Sequence, residues 1–249
     1  TMTERRLERS AVHRGDLILV NAQLPFAGPE EQDRVCLDAN VMLARQAAHT
    51  LRRLLRALGD ESVLAPVRGW RSQREQQEIY ESSLRQNGRA FTEQFVALPG
   101  HSEHQTGLAI DLGQAGPDLD FICPDFPYCG ICQEFRRRAV DYGFVERYRA
   151  GKESVTGIAH EPWHFRYVGR PHAAIMMQRD LVLEEYHSFL KNFPLGGTPL
   201  CWKEGKGVWE IVFVPLQGAQ TCIPWGENGS WAVSGNNEDG FILTSWKEQ

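Results

Sequence analysis

No stretch of this 249-residue chain holds eighteen consecutive apolar residues, no block of like charge stands out, and no period of twenty to fifty residues repeats. The first absence excludes a membrane-spanning helix, and the last excludes solenoids and propellers. Positive charge is also short. With 27 Lys and Arg against 32 Asp and Glu, the net charge is -5, so no cationic field gathers phosphates and a nucleic-acid partner is not expected. Cysteine is too sparse for a disulfide-dense scaffold, with six residues in all. The one suggestive cluster, Cys129-Gly-Ile-Cys132 with Cys123 upstream, lacks the second CxxC that would complete a structural zinc site. It reads as reduced thiols, with a local disulfide or a metal as alternatives. The N-terminal TMTERRLERSAVHRGD is polar rather than signal-like, which favours a cytoplasmic protein, or an extracytoplasmic one if a leader or anchor has been removed.

What is present suits a folded enzyme-sized domain: 42% of residues are hydrophobic and 24% charged, which excludes disorder. A small-molecule, peptide or sugar-linked partner fits this surface. DLILV (16–20) reads as a strand. The apolar residues from Val41 to Leu58 keep helical spacing before Gly59. VLAPVRGW (63–70) reads as a strand running into the helix RSQREQQEIYESSL, where Ser72 and Glu75 form a capping box. Arg71 therefore lies at a strand-to-helix junction, which suits an active-site cation and equally a surface ion pair. A long loop is expected over 113–132, then a helix ending near Gly143, a strand, the strand HFRYVG (164–169) and a terminal helix over 181–193. LGGTPLCWKEGKG reads as a linker, and VWEIVFVP (208–215), WAV (231–233) and FILTSW (241–246) as strands. These divide the chain into a main domain over 1–198 and a small antiparallel β module over 199–249.

The chemistry concentrates in two segments. In SEHQTGLAIDL, a bend at Gly107 followed by a strand puts Ala109 and Asp111 on one face, where His104 can reach. A carboxylate and an imidazole converging on a patch cleared by a small residue are suitable zinc ligands. In IAHEPWHFRYVG, His160 to His164 matches H-E-x-x-H literally, but Pro162 and the alternation of WHFRYV argue against the helix that motif requires. Glu161 then sits at the mouth of a strand, His164 lies on it, and His160 is a bystander. His104, Asp111 and His164 give three ligands, with the carboxylate of Glu161 beside an open fourth position, as zinc hydrolysis requires. Taken singly, each has a plainer reading as a core histidine or a turn former.

SEHQTGLAID fits S-x-H-x-x-G-x-A-x-D, and EPWHF fits E-x-x-H. Together they resemble the zinc D,D-carboxypeptidase and D,D-dipeptidase family of VanX, VanY and VanXY, most closely its VanY and VanXY branch. GWRSQREQQ (69–77) resembles the family's arginine segment, and the likeness spans residues 12 to 192. The resemblance implies an α+β fold whose central antiparallel sheet carries the zinc ligands, with helices packed around it. It implies Zn2+ on His104, Asp111 and His164, Glu161 as general base and acid, and Arg71 as the oxyanion donor. Ser102 would contact the substrate's terminal carboxylate, its alternative being a plain turn serine. Gln76 and Trp163 match substrate-contact positions, and Trp163 has a core role as its alternative. The implied activity removes C-terminal D-Ala from peptidoglycan precursors and cleaves free D-Ala-D-Ala, as in vancomycin resistance. The alternatives are an L,D-carboxypeptidase acting on tetrapeptide stems, or a peptidoglycan-binding module without turnover. The 113–132 loop is the expected place for dipeptide to be told from pentapeptide. The β tail lies outside the motifs, as a fold extension or a contact for substrate or partner.

Overall fold

In the computed structural model, residues 1–30, 32–38, 40–59 and 61–249 are described. The chain folds into two units: Val20–Val182, and a second built from both ends, Thr1–Leu19 with Leu183–Gln249, where the N-terminal strand β1 (Met2–Glu8) lies.

The Val20–Val182 unit opens with a hairpin of β2 (Arg34–Asp38) and β3 (Val41–Ala44), followed by helix α1 (Arg45–Leu58). The helical spacing read from Val41 onward holds only from Arg45. The β-branched Val41 and the in-out burial of Val41, Met42 and Leu43 suit a ladder instead. Helix α1 buries Ala47, Ala48, Leu51, Leu54 and Leu55 along one stripe and stops at Gly59, whose φ of 90° an L side chain would strain. Strand β4 (Leu64–Arg68) leads into α2 (Gln73–Phe95), and the Ser72 hydroxyl caps α2 by accepting from the Glu75 N–H at 3.1 Å. Gly88, with φ 80°, breaks α2, and the Ser83 and Thr92 hydroxyls meet across the break at 2.7 Å.

A 3-10 turn, Glu103–Thr106, ends at left-handed Gly107 and delivers the chain into β5 (Ala109–Gln114). The irregular stretch 115–129 follows, shorter than the expected loop because β5 and α3 (Gly130–Ala139) take its ends. Then come β6 (Phe144–Tyr148), the short α4 (Glu153–Thr156), β7 (Glu161–Tyr167) and α5 (His172–Gln178). Strands β4, β5, β7 and β6 form one antiparallel sheet in that order, with Asp111 paired to His164 and Ala109 to Arg166. The fold is α+β, as expected. This sheet carries Asp111 and His164, whereas His104 comes from the 3-10 turn beside it.

In the second unit, helix α6 (Leu183–Leu190) accompanies the strands β8 (Leu200–Glu204), β9 (Gly207–Pro215), β10 (Gln220–Gly226), β11 (Ser230–Gly235) and β12 (Gly240–Glu248). Four of them form an antiparallel sheet in the order β11, β12, β9, β8, and β10 pairs with β1. Val12, Val214, Ile223, Phe241 and Leu243 make its core. Three features depart from expectation. The linker contains β8. The polar N-terminus forms a strand, so the structure divides the chain elsewhere than at 198/199. DLILV forms no strand: Leu17, Ile18 and Leu19 are buried, but the N–H of Leu17 is taken by the Ser234 hydroxyl at 2.9 Å and that of Leu19 by the Asn236 carbonyl at 3.2 Å. Apolar content set the burial of this run, while a β11 side chain and the carbonyl just past β11 took backbone groups a ladder would have used.

Candidate functional site

Because directly paired residues point to the same side of an antiparallel sheet, Asp111 and His164 project together from β5 and β7. His104 joins them from the 3-10 turn, which the Ser102 hydroxyl caps by accepting the His104 N–H at 3.3 Å. One ligand atom from each of His104, Asp111 and His164 falls within 4.8 Å of the others, and all three residues are buried. The distances identify the atoms. His104 Nε2 lies 3.3 Å from Asp111 Oδ2, and His164 Nδ1 lies 2.9 Å from Asp111 Oδ1. The far nitrogens are engaged elsewhere: His104 Nδ1 meets the Gly69 carbonyl at 2.8 Å, and His164 Nε2 meets Glu103 Oε1 at 2.7 Å.

That Gly69 carbonyl is positioned by β3. The Trp70 N–H donates to the Met42 carbonyl at 2.6 Å, and a Cβ on Gly69 would fall on that same carbonyl oxygen. The backbone N–H of Arg71 also donates to the His104 carbonyl, at 3.2 Å, so the strand-to-helix junction and the 3-10 turn hold each other in place.

Two imidazoles and a carboxylate are a donor set for a divalent cation such as zinc. The fit shows in one atom: Asp111 Oδ1 is buried without a hydrogen-bond partner, 2.9 Å from His164 Nδ1. Among the protein groups alone, burial would raise the Asp111 carboxyl, but His104 and His164 outweigh it and hold it well below the usual carboxylate range. Burial pulls His164 down, yet Asp111 and Glu103 push it up to about 10. Burial, with Arg71 beside it, takes His104 down to about 4. The centre thus holds positive charge against Asp111, where a cation would serve the same need.

Glu161 Oε2 lies 3.7 Å from His164 Nδ1, and burial pushes this carboxyl up to about 8. Arg71 is brought down by burial to about 10, so its guanidinium stays charged near neutral pH, and its Nε is buried without a partner. A cavity of about 370 Å³ is lined by all eight residues singled out in the sequence: Arg71, Gln76, Ser102, His104, Asp111, Glu161, Trp163 and His164. Gln76 donates its amide to the Ala97 carbonyl at 2.8 Å, which leaves its buried Oε1 without a partner. Trp163 should point away from His164 on a regular strand. It lines the same cavity instead, where the β6–β7 pairing slips between Glu146 and Tyr148, and it stacks on Phe95 at 6.4 Å. His160 takes no part: its Nε2 meets the Tyr128 hydroxyl at 2.6 Å. All six cysteines carry free thiols, and none belongs to a metal-capable group among the described residues.

Two residues escaped the sequence reading. Tyr148 lines the cavity and lies against the His164 ring at 4.7 Å. Glu103, inside the first motif, is fully buried against His164, Arg147 and Arg166. Its only signal was an acidic residue beside a candidate ligand, and surface glutamates give that signal just as often.

The VanY family, described as D-alanyl-D-alanine carboxypeptidase, matches residues 40–170. The chain is 44% identical over 179 residues to the bifunctional D-Ala-D-Ala dipeptidase and D-Ala-D-Ala carboxypeptidase VanXYC of Enterococcus gallinarum, covering 70% of this chain and 94% of that protein. The crystal structure of the vancomycin-resistance D,D-dipeptidase VanXYg, in complex with a D-Ala-D-Ala phosphinate analogue, superposes with a TM-score of 0.97 at 45% identity, over 99% of this chain and 100% of that one. A mutant of the D,D-pentapeptidase VanY from a VanB-type resistance cassette, in complex with Zn(II), superposes with a TM-score of 0.58 at 30% identity, over 69% of this chain and 98% of that one. A family match across half the chain, together with a relative this similar along nearly its whole length, establishes that the chain belongs to the VanY family of D-alanyl-D-alanine carboxypeptidases.

Proposed function

We propose that this protein is a zinc-dependent D,D-carboxypeptidase and D,D-dipeptidase that removes C-terminal D-Ala from peptidoglycan precursors and cleaves free D-Ala-D-Ala, as in vancomycin resistance. The observation that carries the reading is the convergence of His104, Asp111 and His164 beside Glu161 in one cavity. The similarity to VanXYC and VanXYg supports it and favours D,D over L,D cleavage.

His104 would bind zinc through Nε2, His164 through Nδ1, and Asp111 through its carboxylate. Bound there, zinc supplies Lewis acidity toward the scissile carbonyl and a water more acidic than bulk water. Glu161 accepts a proton from the attacking water and returns it to the leaving nitrogen as the C–N bond breaks. Arg71 donates to the oxygen that gains charge as water adds to the carbonyl. Ser102, whose oxygen accepts from the backbone, keeps its O–H to donate to the terminal carboxylate, and Gln76 Oε1 can accept a peptide N–H. Trp163 gives the cavity an apolar wall. These residues belong to the Val20–Val182 unit, which is the catalytic part, and the unit holding the C-terminal strands is accessory.

Among the described residues no helix is long and apolar enough to cross a membrane. We place the protein in the cytoplasm, where six free thiols are at home and unlinked dipeptide and precursor are within reach. The test is D-alanine release from D-Ala-D-Ala, from a UDP-linked pentapeptide and from a tetrapeptide, with zinc and with a chelator. Release from the first two with zinc alone supports the reading. Release from the tetrapeptide only would make the protein an L,D-carboxypeptidase, and none from any would remove the enzyme.

A further inference from the structure

Three ionised side chains lie under the metal-capable centre with almost no water contact. Glu103 has a side-chain exposure of 0%, as does Arg166, and Arg147 has 1%. Glu103 Oε2 accepts from Arg147 Nε at 3.1 Å and from Arg166 Nη1 at 3.1 Å, while Oε1 meets His164 Nε2 at 2.7 Å. Burying an ion is costly even after relaxation, and well-packed apolar residues often replace such clusters without loss of stability. A cluster of this kind under a reaction centre therefore calls for a role beyond holding the fold together.

The geometry supplies one. An imidazole binds a metal through one nitrogen, and the partner of the other nitrogen decides which. Glu103 occupies Nε2 of His164 and leaves Nδ1 facing Asp111 at 2.9 Å. His104 is held the opposite way: the Gly69 carbonyl occupies its Nδ1 and leaves Nε2 facing the same carboxylate at 3.3 Å. The two rings therefore present different nitrogens to one point. One is backed by a neutral carbonyl and the other by a full negative charge. Both arginines hold Oε2, which keeps Oε1 turned to the imidazole.

We propose that Glu103, clamped by Arg147 and Arg166, is a positioning residue that sets the tautomer of His164, aims its Nδ1 at the metal and strengthens it as a donor. The proposal rests on His104, Asp111 and His164 being the metal ligands and adds what fixes the second imidazole.

The test uses the full chain labelled with ¹⁵N-histidine and loaded with one equivalent of zinc. Long-range ¹H–¹⁵N spectra, assigned with H104N and H164N, report which nitrogen of each ring is metallated and which is protonated. The expected result is His164 metallated at Nδ1 with a protected Nε2–H, and His104 the reverse. Competition with a chromophoric chelator then measures zinc affinity. E103Q should weaken zinc by about 10- to 100-fold. E103Q combined with R166M, which also removes one of the two cations that hold Glu103 Oε2, should do the same. Folding of each variant is checked by circular dichroism. Zinc bound through Nε2 of His164, or a folded variant with wild-type zinc affinity, overturns the proposal. A wild-type protein that takes up no zinc overturns the metal site itself, a separate result.

Discussion

At position 161 a carboxylate is kept out of water beside two other acids, and its chemistry follows from that setting. E161Q keeps the shape and removes the base. Turnover of D-Ala-D-Ala should fall by about 10²- to 10⁴-fold, the usual contribution of a positioned general base, while zinc analysis still finds one equivalent bound. The same residue gives a pH signature in the metal-free protein. Burial raises its carboxyl from 4.5 to about 8, so the folded state holds the proton more tightly than the unfolded chain does. The stability this confers is full below pH 4.5 and is lost as pH rises toward 8. E161Q, which stays neutral, should melt with the metal-free wild type at pH 4.5 and above it at pH 8. A melting difference that is flat with pH contradicts this account. The motif residues were legible because their chemistry is short-range: Asp111 and Ala109 share a face by strand alternation alone. Strand alternation alone left Trp163 between a substrate contact and a core role, because the slip in the β6–β7 pairing that turns it to the cavity cannot be read from β7 itself. Glu103 was missed because its arginine partners come from two other strands.

Between residues and molecule, two junctions hold the site. Ser72 caps α2, the helix that presents Gln76. S72A should lower stability by about 1 kcal/mol, the usual worth of such a cap, and leave kcat on D-Ala-D-Ala near wild type; chemical denaturation and steady-state kinetics check both. Gly69 has a stricter task, since its carbonyl orients His104 while its Cα lies against the Met42 carbonyl. G69A should push β4 away from β3, costing about 1–3 kcal/mol as overpacking does, and it should weaken zinc binding as well. Unchanged zinc affinity in a destabilised G69A would separate the two roles and refute the second. The S-x-x-E cap was visible in the sequence because it is local. The start of α1 was not, because a long periodic run hides whether its first turn is taken by a neighbouring strand.

For the whole molecule, the chain's two ends build one unit, with β1 supplying the partner strand of β10. A tail module beginning at residue 199 leaves that strand out. β1 reads as polar and is exposed along nearly its whole length, so hydrophobic patterning had nothing to detect. Removing residues 1–8 should leave β10 with an open edge and make the protein associate at high concentration, as unpaired edges do; size-exclusion chromatography against the intact chain checks this. The central claim is that one zinc ion, held by His104, Asp111 and His164, turns this chain into a D,D-peptidase. Titrating zinc into the chelator-stripped protein, while following bound metal and D-alanine release from D-Ala-D-Ala together, tests it most directly. The account predicts that both rise in step and saturate at one equivalent. Zinc binding at one equivalent without D-alanine release, or release unchanged by stripping, would contradict it.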